Sequence, residues 1–236
     1  MYASRVGVTF GSSSSTVSNV VHLIGHPSFV FLTTVLSMAG LVLIDSLGSF
    51  RVPPSMRSTP RWLQLSLEQY GLRTTVCVVG GARFVPPMNS SGPVSLFEEL
   101  LTRYQPHGKY AWCLLVSGGN DLYVPEMAPD ISYGIVRSMN AALTFAPQVC
   151  VVFGGSSKIW HYHGEWAAEY DRRIEVVMKA VACPVGARII TGATELALDA
   201  SDIVDRIGHV RYGIGAMKVI EALAIWSYTF EARAKL

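Results

Sequence analysis

Ala111-Trp-Cys-Leu-Leu-Val-Ser-Gly-Gly-Asn-Asp121 is the stretch on which the fold turns. Its first six residues are apolar without polar alternation, and turn-forming residues follow at once. A short, continuous apolar run bounded in this way reads as a strand buried on both faces, the pattern of a parallel sheet. Four other runs have the same character: Leu41-Val-Leu-Ile44, Thr75-Val-Cys-Val-Val79, Gln148-Val-Cys-Val-Val-Phe153 and Ala187-Arg-Ile-Ile190.

The intervening segments carry helix punctuation. Thr59-Pro60 opens a helix that Gly71 closes, since proline lacks an N–H that the first turn would leave unpaired anyway. Ser95-Leu-Phe-Glu98 has the form of a capping box. Further helices are expected over residues 129–145, 164–182 and 215–226. Strand and helix alternating in this way imply right-handed crossovers with helices on both faces. The expected fold class is α/β, a three-layer α/β/α sandwich on a five-stranded parallel sheet, flavodoxin-like in arrangement. The expected organisation is an N-terminal leader or apolar segment over residues 1–40, a single domain over 41–230 and a short tail over 231–236.

Half of the 236 residues are hydrophobic, enough to build one sizeable core. The formal charge of +2 comes from nearly balanced acids and bases with no Lys/Arg-rich run. That balance gives no electrostatic reason to expect nucleic acid and points to a small-molecule partner. Cys77, Cys113 and Cys150 sit inside apolar runs, where a thiol behaves as a small buried hydrophobe, so a reduced cytoplasmic protein is slightly favoured. The N-terminus pulls the other way. Residues 6–44 contain no Asp, Glu, Lys or Arg, and Ser37-Met-Ala39 before Gly40 has the form of a signal-peptidase site, which would make the protein secreted or membrane-anchored. The alternative is that the apolar stretch packs on the domain as a helix. Oligomeric state is not legible.

In an open parallel sheet, ligands bind outside the carboxyl ends of the strands, so the residues just after each run carry the functional information. They are Asp45-Ser46-Leu47 after the first run, Gly80-Gly81 after the second, Ser117-Gly-Gly-Asn-Asp121 after the third, and Asp205-Arg-Ile-Gly-His209 late in the chain. Taken singly, each has an ordinary structural role: a helix cap for Ser46, turn punctuation for the glycines and for Asn120-Asp121, helix-end polar residues for Asp205 and His209.

Taken in order, these blocks resemble the SGNH (GDSL-like) hydrolase family over roughly residues 41–223. The resemblance implies a serine esterase or deacylase that cleaves a carboxylic ester through an acyl-enzyme. It makes Ser46 the nucleophile, His209 its general base and Asp205 the acid that orients the imidazole, because a neutral serine hydroxyl needs a positioned base to react. The Ser46 and Gly81 N–H groups and the Asn120 side-chain amide become the oxyanion hole, with Gly80 as the alternative glycine. Asp45 and Asp121 brace loops. Two departures stand out. Ile44 replaces the glycine before the Asp-Ser pair, and Asp205 and His209 are separated by three residues where the family has two, which leaves Asp202 as an alternative orienting acid.

Two other functional classes remain open on the sequence: a non-catalytic binding protein on this fold, and a serine-dependent acyltransferase that passes the acyl group to an alcohol. Trp160 and His161, after the fourth run, are expected to line the substrate site. His161-Tyr-His163 offers two metal ligands but no third, so no metal and no cofactor are expected. Gly154-Gly-Ser-Ser-Lys158 lacks the spacing of a phosphate-binding loop.

Overall fold

Five strands form where the apolar runs lie: β1 (Gly40–Ile44), β2 (Thr74–Val78), β3 (Cys113–Ser117), β4 (Val149–Phe153) and β5 (Ala187–Thr191). The computed structural model of the protein describes residues 39–45, 59–85, 95–104, 109–121, 128–154, 166–191, 200–202 and 210–233. All of these fall within the compact unit Ser37–Leu236. The leader expected over residues 1–40 lies outside the described residues except for its last two.

All strands pair in parallel, in the order β2-β1-β3-β4-β5. Leu43 of β1 is level with Cys77 on one side and Leu115 on the other. The continuous apolar runs are explained by burial on both faces: every residue of β1, β3 and β4 is buried. Alternate side chains divide between two cores. Val42, Ile44, Leu114, Val116, Cys150 and Val152 pack with Leu63, Leu67, Val219 and Leu223. Leu41, Leu43, Cys113, Leu115, Val151 and Phe153 pack with Phe97, Leu101, Ile135 and Ile174. Each fully buried Leu, Ile or Val contributes about 1.5–3 kcal/mol.

The helices are α1 (Thr59–Gln69), α2 (Leu96–Tyr104), α3 (Ala128–Leu143), α4 (Trp166–Ala180) and α5 (Ile214–Arg233). Helices α1 and α5 cover the first core, and α2, α3 and α4 the second. The result is the expected three-layer sandwich. Gly71, at φ 77°, ends α1 in a left-handed conformation. The Gly71 N–H donates to the Glu68 carbonyl and the Leu72 N–H to the Leu67 carbonyl, the crossed pair of bonds that closes a helix with glycine.

Several boundaries differ from the sequence reading. Strand β1 begins at Gly40, one residue before the apolar run, because its N–H donates to the Arg73 carbonyl at 2.8 Å. A Cβ at Gly40 would lie 2.1 Å from the Trp112 ring, and Trp112 in turn stacks on Phe230 with ring centroids 5.2 Å apart. Helix α5 runs past Trp226 to Arg233, since Phe230 extends its buried face into the first core. The capping box at the start of α2 is half made. The Glu98 N–H donates to Ser95 Oγ at 3.1 Å, but the Glu98 carboxylate turns to Arg137 of α3 at 2.6 Å. All four cysteines are free thiols, and Cys113 and Cys150 belong to opposite cores. Among the described residues, no helix is long and apolar enough to cross a membrane.

Gly134, midway along α3, lets that helix press against the loop after β2. A Cβ there would sit 2.4 Å from the Phe84 carbonyl oxygen. Helix propensity alone favours alanine over glycine by about 1 kcal/mol, but backbone overlap of this size must be relieved by moving the helix or the loop, at about 1–3 kcal/mol. Gly134→Ala is therefore expected to lower stability in urea unfolding, and a gain in stability would show that α3 does not bear on this loop.

Candidate active site

The strand order places β1 beside β3, and the chain leaves them on opposite faces, toward α1 after β1 and toward α3 after β3. A crevice outside the carboxyl ends is the consequence. Three loop starts meet there, and hydrogen bonding holds each in place.

The end of β2 is fixed to β1 by the Val79 N–H, which donates to the Ile44 carbonyl at 2.9 Å. A tight turn follows, closed by the Ala82 N–H donating to the Val79 carbonyl at 3.3 Å. Gly81 occupies its third position at φ 72°, a conformation that a Cβ disfavours. Gly80 and Gly81 are both exposed, while Ala82 is buried. The turn thus offers glycine backbone to the solvent side and a carbonyl, that of Ala82, to the crevice.

On the other side, β3 ends at Ser117, and Gly118 reverses the chain at φ 132°. A Cβ at Gly118 would lie 2.5 Å from the Phe153 ring and 2.6 Å from the Gly154 nitrogen, so only glycine fits. The Asp121 N–H donates to the Gly118 carbonyl at 3.1 Å, closing the turn that carries Asn120.

Side chains then tie the three strand ends together. Asn120 Nδ2 donates to the Ala82 carbonyl at 3.1 Å and, more weakly, to Asp45 Oδ2 at 3.5 Å. Both neighbours are acceptors, which fixes the amide orientation with its nitrogen toward them. Ser117 Oγ lies 2.9 Å from the Ala82 carbonyl oxygen and 3.1 Å from Asp45 Oδ2. Asp45 and Ser117 are buried and Asn120 is half-buried. The Asp45 N–H extends the β1–β3 ladder by donating to the Val116 carbonyl at 3.0 Å.

Asp121 braces the loop after β2, as expected. Its carboxylate accepts from the Phe84 and Val85 N–H groups at 3.0 Å. Burial pushes its pKa up to about 7, a rise to which the nearby Asp45 adds and which the two backbone donors and Arg83 partly offset.

Of the residues singled out in the sequence, Gly81 and Asn120 are brought to one crevice. Ser46, Asp205, His209, Trp160 and His161 lie outside the described residues; Asp45 itself is at the crevice. Asp202, the alternative orienting acid, is buried with Oδ2 2.6 Å from Lys218 Nζ, and its carbonyl accepts the Arg211 N–H. It anchors the start of α5. Ser117 and the Ala82 carbonyl were not anticipated. The signal for Ser117 was a hydroxyl ending an otherwise apolar strand. Among the described residues, no three His, Cys, Asp or Glu side chains are grouped to hold a metal ion.

No protein-family model and no curated protein matches the sequence. Solved structures do match the fold. The aryl esterase of M. smegmatis superimposes with a TM-score of 0.51 at 17% identity, covering 81% of this chain and 99% of that one. A carbohydrate acetylesterase from Sinorhizobium meliloti matches with a TM-score of 0.51 at 15% identity, over 81% of this chain and 99% of that one. A mutant acetyl-xylooligosaccharide esterase from Geobacillus gives 0.52 at 12% identity, over 79% of this chain and 92% of its own. The chain shares the three-layer α/β fold of these solved esterases.

The raised pKa of Asp121 makes a pH prediction. A carboxyl whose folded pKa lies above its unfolded value near 4 holds its proton more tightly when folded, so its contribution is present at low pH and lost as pH rises through about 7. Asp121→Asn removes the titration while its single carbonyl oxygen can still accept both backbone N–H groups. Between pH 5 and 8, the stability of the wild type relative to this variant should fall in urea titrations. A difference independent of pH would contradict the assignment.

Proposed function

We propose that the protein is a serine hydrolase that cleaves carboxylic esters through an acyl-enzyme on Ser46. The observation that carries this reading is the convergence of the Gly81 turn, Asp45 and Asn120 outside the carboxyl ends of β1, β2 and β3. That crevice is where this fold binds ligands, and the fold is one shared with solved esterases.

In the mechanism, His209 takes the Ser46 proton as Oγ attacks the ester carbonyl, and Asp205 holds the imidazole in the productive tautomer. The negative oxygen of the tetrahedral intermediate is met by the Ser46 and Gly81 N–H groups and by Asn120 Nδ2. His209 then protonates the departing alkoxide. Water, activated by the same imidazole, releases the acid and regenerates Ser46. Asp202, which pairs with Lys218 at the start of α5, is the alternative orienting acid. The acetyl and aryl esters in the names of the similar structures make short acyl groups the first substrates to try.

Hydrolysis of p-nitrophenyl acetate and labelling by a fluorophosphonate test the proposal together. Ser46→Ala is expected to abolish labelling and cut turnover by several orders of magnitude, and Asn120→Ala to lower kcat by about 10²–10³-fold with labelling still detectable. Activity should rise with pH through neutrality as a base of ordinary imidazole pKa loses its proton. Wild-type protein that neither turns over esters nor labels would favour the binding-protein reading, and acyl transfer to an added alcohol in preference to water would mark a transferase.

A further inference from the structure

The oxyanion hole assigned above asks something of Asn120 that its hydrogen bonds do not freely allow. Its Nδ2 carries two protons. One points to the Ala82 carbonyl at 3.1 Å and the other to Asp45 Oδ2 at 3.5 Å. To stabilise an oxyanion, one of them must leave. The longer bond is the one to give up, because the Ala82 contact holds the amide beside the Gly81 turn. Moving an N–H away from a buried carboxylate oxygen is costly unless another donor takes its place.

Ser117 supplies that donor. Its hydroxyl has one proton and two acceptors in reach, Asp45 Oδ2 at 3.1 Å and the Ala82 carbonyl at 2.9 Å. These are the same two acceptors that Asn120 serves. With the hydroxyl proton on Ala82, Asn120 turns to Asp45. With the proton on Asp45, Asn120 keeps Ala82 and its second N–H is released toward the crevice. We infer that Ser117 is a positioning residue, whose hydroxyl switches to Asp45 as Asn120 turns its amide proton to the oxyanion. No covalent bond changes in the switch; one hydroxyl rotates and one N–H exchanges a carboxylate for the developing alkoxide.

The placement of Ser117 suits this part. It is buried at the last position of β3, its backbone is fixed by pairing with β4, and its carbonyl accepts the Gly154 N–H at 3.0 Å. The hydroxyl is therefore free to rotate only within a rigid frame. The other residues of β3, Cys113 to Val116, are apolar core residues, so a hydroxyl here is not a matter of filling space.

This inference rests on the proposed esterase reading, and its test is a double-mutant cycle on turnover of p-nitrophenyl acetate. Ser117→Ala should lower kcat about tenfold with KM little changed, since misplacing a group that acts in the transition state spares ground-state binding. Ser117→Thr, which keeps the hydroxyl, should recover most of the loss. The decisive measurement is Ser117→Ala made in the Asn120→Ala background. If Ser117 acts through Asn120, the second substitution costs less than twofold there. Equal losses in both backgrounds, or a single Ser117→Ala variant with wild-type kcat, would overturn the inference while leaving the esterase reading intact. Absence of turnover in the wild type would overturn both. Thermal unfolding of each variant checks folding, and if Ser117→Ala does not fold, Ser117→Cys, similar in volume and a weak donor, takes its place in the cycle.

Discussion

The structure depends on a topological constraint: β1 lies between β2 and β3, and the chain turns to one face after β1 and to the other after β3. Two neighbouring strands whose continuations diverge leave a gap at their carboxyl ends that no helix can fill. The gap is lined by strand termini, and strand termini expose backbone polar groups. Each of those groups must find a partner or face solvent. Among the described residues, the side chains of Asp45, Ser117 and Asn120 take part in meeting this requirement on the crevice side.

The two carboxylates on either side of this gap have different surroundings. Asp121 is held by backbone N–H groups of residues 84 and 85, and its work is to pin the loop that follows the Gly81 turn. The same loop is pressed from behind by α3 at Gly134. Clamped from both sides, the Ala82 carbonyl has little freedom, and so it can serve as a fixed reference for Asn120. Asp45 Oδ2 accepts from Ser117 and Asn120, side chains that can rearrange by rotation. A rigid acceptor and an adaptable one therefore sit side by side in the crevice.

Much of the fold was legible because its signals are local. Continuous β-branched runs mark strands, and caps such as Thr59-Pro60 and Gly71 mark helix ends. Where expectation and structure part, a distant residue is responsible. Glu98 leaves its capping box for Arg137, 39 residues away. Gly40 joins β1 because Arg73 receives its N–H and Trp112 leaves no room for a Cβ. Asp202 forms an ion pair with Lys218 on α5, 16 residues away. In each case packing made available a contact that the local sequence does not show.

For the candidate site, the sequence by itself determined which residue types follow each strand: glycines after the second, Asn120-Asp121 after the third, Asp45 and Ser46 after the first. These follow from runs and turns a few residues long, whose conformations are set by local sterics and hydrogen bonding. Only the tertiary structure decided that Ser117 and Asp45, 72 positions apart, share a hydrogen bond, and that Asn120 reaches the Ala82 carbonyl across 38. Strand order sets those meetings, and strand order comes from the summed burial of two cores and the handedness of the crossovers. No short stretch of sequence contains that sum.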